Sequence, residues 1–442
     1  MRFTFTKETI TEAIKTVSSI GGKTLVAYLG AKSGDEQLCL NSFMSSTASE
    51  LITKNVACEK PEGWDETKKG AVALNMAEVS GAVNALASFD ADIYIDVTSG
   101  GICLGVEGLA NVPLQKVDEV PDEIKPDASY FQFKASSKDF SAFIRRALSI
   151  DGGGINEASA RLNMAKCLFE GASTDGNICT LGLSQFEEVI IPDEKKRAET
   201  LKNREDFLKA TSQTEEAVEI CFSKSALKNL KFLLDAKEAN IGVFVSPKHL
   251  SFAIGATTRY IMTLADTSKV PVGMAEKIFG QVGGSAIMEM DSATLVKQVR
   301  TAKALIDLKG GIAKDVSNAM MLSFENGSAI LSSALETDLK VKLSASSVKV
   351  KDSSFTMFLD GTKLISVTNA LDKGTVTVVL ADDRKKAFLF NGDVKNIKSS
   401  PVRALVLGIN PEVVERAMNS SEENNSEGDE AEDESKKEEK TA

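Results

Sequence analysis

One pattern is written three times along this chain, and that repetition constrains the fold more than any single residue does. Each copy opens with a short alternating strand followed by an amphipathic helix: FTFTKETITEAIKTVSSI from Phe3, FQFKASSKDFSAFIRRALSI from Phe131 and AIMEMDSATLVKQVRTAKAL from Ala286. The match lies in periodicity. Ile10, Ala13, Ile14 and Val17 share one helical face, as do Phe140, Phe143, Ile144 and Ala147, and as do Leu295, Val299, Ala302 and Ile306. A second unit of strand, helix, strand, strand begins near Ala71, Ala217 and Phe355. Ile10 to Leu295 and Leu86 to Leu371 span the same interval of 285 residues, so Asn84-Ala85-Leu86 falls on Asn369-Ala370-Leu371 without a gap. Three like domains, each itself doubled, are the expected architecture.

The boundaries follow from composition. Domain one is expected over residues 1–127, closed by the proline- and acid-rich VDEVPDEIKPDAS. Domain two is expected over 128–280, with a charged insertion at about 193–216 that reads as a surface helix or loop. Domain three is expected over 281–410, after the glycine-rich joint GQVGGS, and an acidic disordered tail over 411–442. Each half-domain lays one helix on hairpin-type strands such as IYIDVTSGGICLGVE, which makes the class α+β with helices on one face of antiparallel sheets.

The net charge of −11 argues at first against a nucleic-acid partner. Its distribution reverses that reading. From Ser421 onward ten acidic residues stand against three lysines, so about −7 belongs to the tail alone. The helices are basic: Lys138, Arg145 and Arg146 in one, Lys224, Lys228 and Lys231 in another, Lys297, Arg300 and Lys303 in a third. Cations gathered on helices of an acidic protein are the footprint of a polyanion partner.

Catalytic chemistry finds no footing. The single histidine, His249, lies in the turn Ser-Pro-Lys-His-Leu, without an oriented partner nearby in sequence. The six cysteines contain no CxxC pair and read as reduced core residues, so no metal site is expected. Asp151-Gly152-Gly153-Gly154 follows a helix, the wrong context for a phosphate cradle. No cofactor and no enzymatic activity are expected. No run approaches ~18 apolar residues and none resembles a signal core, so neither a membrane span nor export is expected.

These residues together resemble the bacterial sliding-clamp family, the beta subunits of DNA polymerase III. Met-Arg-Phe-Thr-Phe at the start, Arg161-Leu162-Asn163 with Leu168-Phe169-Glu170, and the Asn369-Ala370-Leu371 helix with its two strands carry the likeness, over roughly residues 1–410. The resemblance implies a DNA clamp fold and a head-to-tail homodimer closing a six-domain ring around double-stranded DNA. That ring would be cytoplasmic, associated with the nucleoid during replication, and would tether a replicative polymerase for processive synthesis. It implies that the nine cations named above face DNA without reading bases. A dimer joint is implied at Ala110, Val112 and Leu114 against Leu305 and Ile306. A cleft for peptides of the polymerase and clamp loader is implied at Leu162, Leu183, Pro271, Leu407 and Ile409. The family's Thr-Asp-x-x-Arg-Leu-like segment is here Leu183-Ser184-Gln185-Phe186-Glu187-Glu188, and its Met-Pro-Met-Arg-Leu end is Leu407-Gly408-Ile409-Asn410 running on into the tail. The alternative is a repeat-built structural or viral assembly protein that never encircles DNA; it leaves the basic helices without a role.

Overall fold

The computed structural model describes residues 1–32, 37–63, 70–118, 124–150, 155–176, 178–234, 240–265, 272–280, 282–308, 318–325, 327–334, 339–393, 400–417 and 419. Along the chain a strand, a helix and three strands recur six times. The first copy is β1 (Arg2–Phe5), α1 (Lys7–Ser18), β2 (Thr24–Lys32), β3 (Leu38–Ser46) and β4 (Glu50–Glu59). The second is β5 (Gly70–Asn75), α2 (Met76–Leu86), β6 (Ile93–Thr98), β7 (Gly101–Val106) and β8 (Ala110–Leu114). The third is β9 (Phe131–Ser136), α3 (Ser137–Ser149), β10 (Glu157–Asn163), β11 (Leu168–Thr174) and β12 (Ile178–Gln185). After β13 (Glu187–Glu188) and α4 (Glu194–Thr211) comes the fourth: β14 (Val218–Ser223), α5 (Lys224–Leu234), β15 (Asn240–Val245), β16 (His249–Ile254) and β17 (Thr258–Thr263). Helix α6 (Val272–Phe279) precedes the fifth: β18 (Ala286–Asp291), α7 (Ser292–Leu308), β19 (Ala319–Glu325), β20 (Ser328–Ser333) and β21 (Lys340–Lys342). Beyond β22 (Ser347–Val350) lies the sixth: β23 (Ser354–Asp360), α8 (Gly361–Ala370), β24 (Thr375–Leu380), β25 (Lys386–Asn391) and β26 (Val402–Leu407).

The strand-to-helix hinge is chemically the same in five of the six repeats. A side chain closing the strand accepts a hydrogen bond from an amide of the first helical turn: Thr6 from Thr9, Asn75 from Glu78, Ser136 from Asp139, Asp291 from Thr294 and Asp360 from Lys363. The Thr294 amide holds the Asp291 carboxyl below the usual carboxylate range. The apolar faces read from periodicity are the buried faces: Ile10, Ala13, Ile14 and Val17 in α1, and Leu295, Val299, Ala302 and Ile306 in α7. Phe140, Phe143, Ile144 and Ala147 of α3 are at most 3% exposed. Each of the larger side chains contributes roughly 1.5–3 kcal/mol of transfer free energy.

The chain forms two compact units. One comprises Met1–Ile144, Leu162–Leu168 and Gln185–Asp266; the other comprises Arg145–Arg161, Phe169–Ser184 and Thr267–Ala442. In the first unit a nine-stranded sheet runs β13-β9-β15-β16-β17-β4-β3-β2-β5, joined where β17 pairs antiparallel with β4, Met262 opposite Glu50. In the second, β12 pairs with β26, and the order continues β25-β24-β18-β22. The middle repeat therefore lends its strands to both units. Two four-stranded sheets stand apart from these junctions, β1-β6-β7-β8 and β21-β20-β19-β23.

The charged insertion is ordered as α4. Asp193 caps its start, accepting from the amides of Lys195 and Lys196, and Ser212 ends it in a left-handed conformation (φ 53°). Its residues are all at least partly exposed, and a few contacts moor it. The Phe207 ring stacks on Tyr130 at 4.1 Å, and the Arg204 guanidinium lies over Phe131 and 2.8 Å from Glu188. Residues 411–417, expected in the disordered tail, are helical instead, because Val414 is fully buried against Ala319 and Ala334. The acidic run from Ser421 lies outside the described residues. His249, expected in a solvated turn, opens β16 with its Nδ1 4.0 Å from Asp127.

Five described cysteines are free thiols. Cys58 faces Cys39 across β3 and β4 and accepts a hydrogen bond from Asn41 Nδ2 at 3.1 Å. Burial pushes the Cys58 thiol up to about 11 from 9.0. Folding thus favours the neutral form, whose stabilisation is complete below about pH 9 and is lost as pH climbs toward 11. Urea midpoints measured across that window should fall more steeply for the parent chain than for Cys58→Ala. Parallel slopes would contradict the assignment.

Candidate nucleic-acid interface

The structure separates the nine expected cations by exposure, with Arg145 half-buried. Lys138, Lys228, Lys231, Lys297 and Arg300 are exposed. Lys303 is mostly covered and forms an ion pair with Asp307 one turn away, its stem lying against Gly361 at the start of α8. Arg146 and Lys224, by contrast, are buried at 6% and 5% exposure. That burial corrects the expectation that they face DNA. The reason is position: both share the inward side of their helices with apolar residues, and the sequence pattern registers charge but not depth.

Arg145 and Arg146 serve one carboxylate. Arg145 Nη2 donates to Asp372 Oδ1 at 2.7 Å and Arg146 Nη2 to Asp372 Oδ2 at 2.6 Å. Arg145 Nη1 also donates to the backbone carbonyls of Asn369 and Leu371, the latter at 3.2 Å. Helix α8 carries no basic residue in its own last turn, so Arg145 caps its C-terminal end from α3. Gly182 of β12 makes room for Arg146: a Cβ there would lie 2.6 Å from Nη1.

Beside this junction, α7 and the end of α8 frame a shallow concavity of about 510 Å³. Lys297, Arg300, Thr301, Asn369 and Lys373 line it, and Arg300 Nη2 donates to Asn369 Oδ1 at 2.8 Å. Three cations and a hydroxyl around an open surface offer charge and hydrogen-bond donors to a phosphate backbone without the geometry to read a base. Lys373 escaped the sequence reading because it falls after the helix, outside any periodic pattern. Among the described residues, no group of three or more His, Cys, Asp or Glu could hold a metal ion, and no helix is long and apolar enough to cross a membrane.

The first unit carries a comparable junction. There Glu50, at the start of β4, is buried at 6% exposure. Its carboxylate accepts from Asn229 Nδ2 of α5 at 2.9 and 3.2 Å and from the Tyr260 hydroxyl of β17, which also lies 3.1 Å from the Ala226 carbonyl. Burial, then the Glu50 charge, raises the Tyr260 hydroxyl well above its ordinary range. On the helices above, the Lys15 ammonium of α1 lies 5.7 Å from the Phe232 ring of α5.

The residues implied for a dimer joint are only partly available. Ala110 and Val112 are half-buried on β8, a terminal strand of its sheet, and Leu305 is 37% exposed. Leu114 and Ile306 are each 7% exposed and point into the interior, which removes them from any surface. The outward apolar residues are Leu109, 62% exposed beside β8, and Leu308, 82% exposed at the end of α7. Of the implied peptide cleft, Leu162 is fully buried. Leu407 packs beside Phe388 and Phe390, and Ile409 lies against Val414. Pro271 and the Leu183 side chain fall outside the described residues.

No protein-family model matches the sequence, and no curated protein matches it. The fold is matched closely. The DNA polymerase III subunit beta of Pseudomonas aeruginosa superposes with a TM-score of 0.69 at 13% identity, covering 93% of this chain and 100% of that one. The DNA polymerase sliding clamp of Bacillus subtilis gives 0.69 at 14%, covering 93% and 99%. The Helicobacter pylori beta clamp, solved with a DNA ligase peptide, gives 0.68 at 12%, covering 93% and 100%. With its six strand–helix repeats spanning the whole length of these structures, the chain has the fold of the bacterial DNA polymerase III beta subunits, the sliding clamps.

Proposed function

We propose that this protein is a sliding clamp, two copies of which close head-to-tail around double-stranded DNA and tether a polymerase, with no enzymatic step of its own. The strand order carries the reading. Both junctions within the chain join the last strand of an odd-numbered repeat to the last strand of an even-numbered one, β4 to β17 and β12 to β26. Two such strands are left at sheet edges, β8 of the second repeat and β21 of the fifth. Pairing β8 of one copy with β21 of another continues the same rule, leaves no such edge exposed and yields a closed two-chain assembly of three domains each. Leu109, Ala110 and Val112 against Leu305 and Leu308 supply its apolar contact.

Lys138, Lys228, Lys231, Lys297 and Lys373 are the phosphate-facing set in this reading. Their contacts are few and salt-sensitive, so retention on DNA comes from topology rather than affinity. Polymerase and loader peptides dock beside Leu407 in this reading; that clamps take peptides is shown by the H. pylori clamp, solved with a DNA ligase peptide. The assembly-protein alternative finds no counterpart among these structural neighbours. Loading onto a nicked circular plasmid by the cognate loader tests the function. The protein should stay on the circle through a salt wash and be lost within minutes once the circle is cut. Equal retention on cut and uncut DNA would overturn it.

A further inference from the structure

Resting on the head-to-tail reading, we infer that Arg300 is the cation that caps the C-terminal end of helix α2 of the partner subunit. We infer further that this closing joint is held more weakly than the corresponding one within the chain, because Ala87 stands where that joint has Asp372.

The argument is one of equivalence. Lys15, Arg145 and Arg300 occupy the same place in α1, α3 and α7, five residues after Ile10, Phe140 and Leu295. Asn84 and Asn369 occupy the same place in α2 and α8, two residues before the buried leucines Leu86 and Leu371; Phe232 stands likewise two residues before the buried Leu234 of α5. Within the chain these positions meet twice. Lys15 lies over the Phe232 ring at 5.7 Å, and Arg145 reaches the Asn369 and Leu371 carbonyls. Both meetings accompany a strand junction, β4 with β17 and β12 with β26. The remaining helices of this scheme are α7 and α2, and they belong to the repeats that hold the remaining edges, β21 and β8.

The end of α2 has the chemistry to receive a cation. It has no basic residue in its last turn, the same condition that Arg145 remedies for α8. The Ser88 amide, which would close on the Asn84 carbonyl in a continuing helix, donates to Ala85 instead at 3.2 Å. Arg300 is exposed and tied to its own domain by a side-chain bond to Asn369 Oδ1 at 2.8 Å. Its assignment to the partner takes it out of the DNA-facing set, as Arg145 is taken out within the chain.

The difference lies one residue past Leu86. The interval that aligns Leu86 with Leu371 aligns Ala87 with Asp372, the carboxylate that holds Arg145 and Arg146. A joint with carbonyls but no carboxylate grips its arginine less firmly. That suits a joint between copies, which has to part when a ring is set on closed DNA.

Dimer dissociation of the full chain, followed by sedimentation equilibrium at low salt without DNA, tests this. Ala87→Asp should add about threefold per joint, the range of an exposed ion pair, and about tenfold for a ring that closes two joints. The gain should shrink at high salt, be absent in Ala87→Asn, and vanish when Arg300→Ala is added. Arg300→Ala alone should weaken the dimer several-fold. A dimer indifferent to Ala87→Asp and Arg300→Ala overturns the inference and leaves the clamp standing. A chain that is monomeric in every version, parent included, overturns the head-to-tail reading and the inference with it.

Discussion

Asp372→Ala is expected to destabilise the second unit by about 3 kcal/mol. Two arginines divide its carboxylate, and they contribute unequally. Arg145 is 38% exposed at the side chain and can turn to water, so its half of the ion pair is worth no more than ~1 kcal/mol. Arg146 is 8% exposed at the side chain and packed against Gly182, where its guanidinium cannot regain bulk water without shifting β12. Removing the carboxylate takes a charged partner from a buried cation, which is costlier than never having formed the pair. Asp372→Asn should fall between the two, because the amide oxygen still accepts one hydrogen bond. Urea unfolding followed by circular dichroism reads the change. A loss below ~1 kcal/mol for the alanine variant would mean that Arg146 finds other support and that the junction is incidental.

Glu50→Ala is expected to cost about 2–3 kcal/mol in the first unit, because a buried carboxylate bonded by neutral donors is lost together with its acceptor capacity. Asn229 and Tyr260 would then hold buried donors facing a cavity, with the Ala226 carbonyl able to satisfy only the tyrosine. Glu50→Gln keeps the shape and removes the charge. It should cost less, and it should bring the Tyr260 hydroxyl down toward its ordinary range, since the Glu50 charge is among the causes holding it up. Spectrophotometric titration of tyrosinate ionisation would register that shift. Equal stability of all three chains would show that β4 and β17 hold their register through the ladder alone.

Much of the fold could be read before any coordinates. A period of 3.6 in Ile10–Val17, Phe140–Ala147 and Leu295–Ile306 specifies which face each helix buries, and the structure buries those faces. The caps at Thr6, Asn75, Asp291 and Asp360 likewise involve residues only three apart in the chain. Local signals of this kind depend only on neighbours within a turn or two, so a sequence carries them whole. The cations did not yield in the same way. Arg145, Arg146 and Lys224 look like Lys138 and Lys228 in one dimension, yet Arg146 and Lys224 are buried and Arg145 is spent on a helix end more than two hundred residues away. Helix 411–417 was hidden for the same reason, since its buried residue, Val414, matters only because Ala319 and Ala334 lie beneath it.

The sequence by itself determined that this chain is a thrice-repeated α+β protein with basic helices, because repeats, periodicity and charge are properties of composition and spacing. Only the tertiary structure decided which cations remain exposed, which strands end at open edges, and where one carboxylate holds two arginines. Burial and pairing are set by contacts across hundreds of residues, and the free energy of a charge depends on that surrounding far more than on the letter that encodes it.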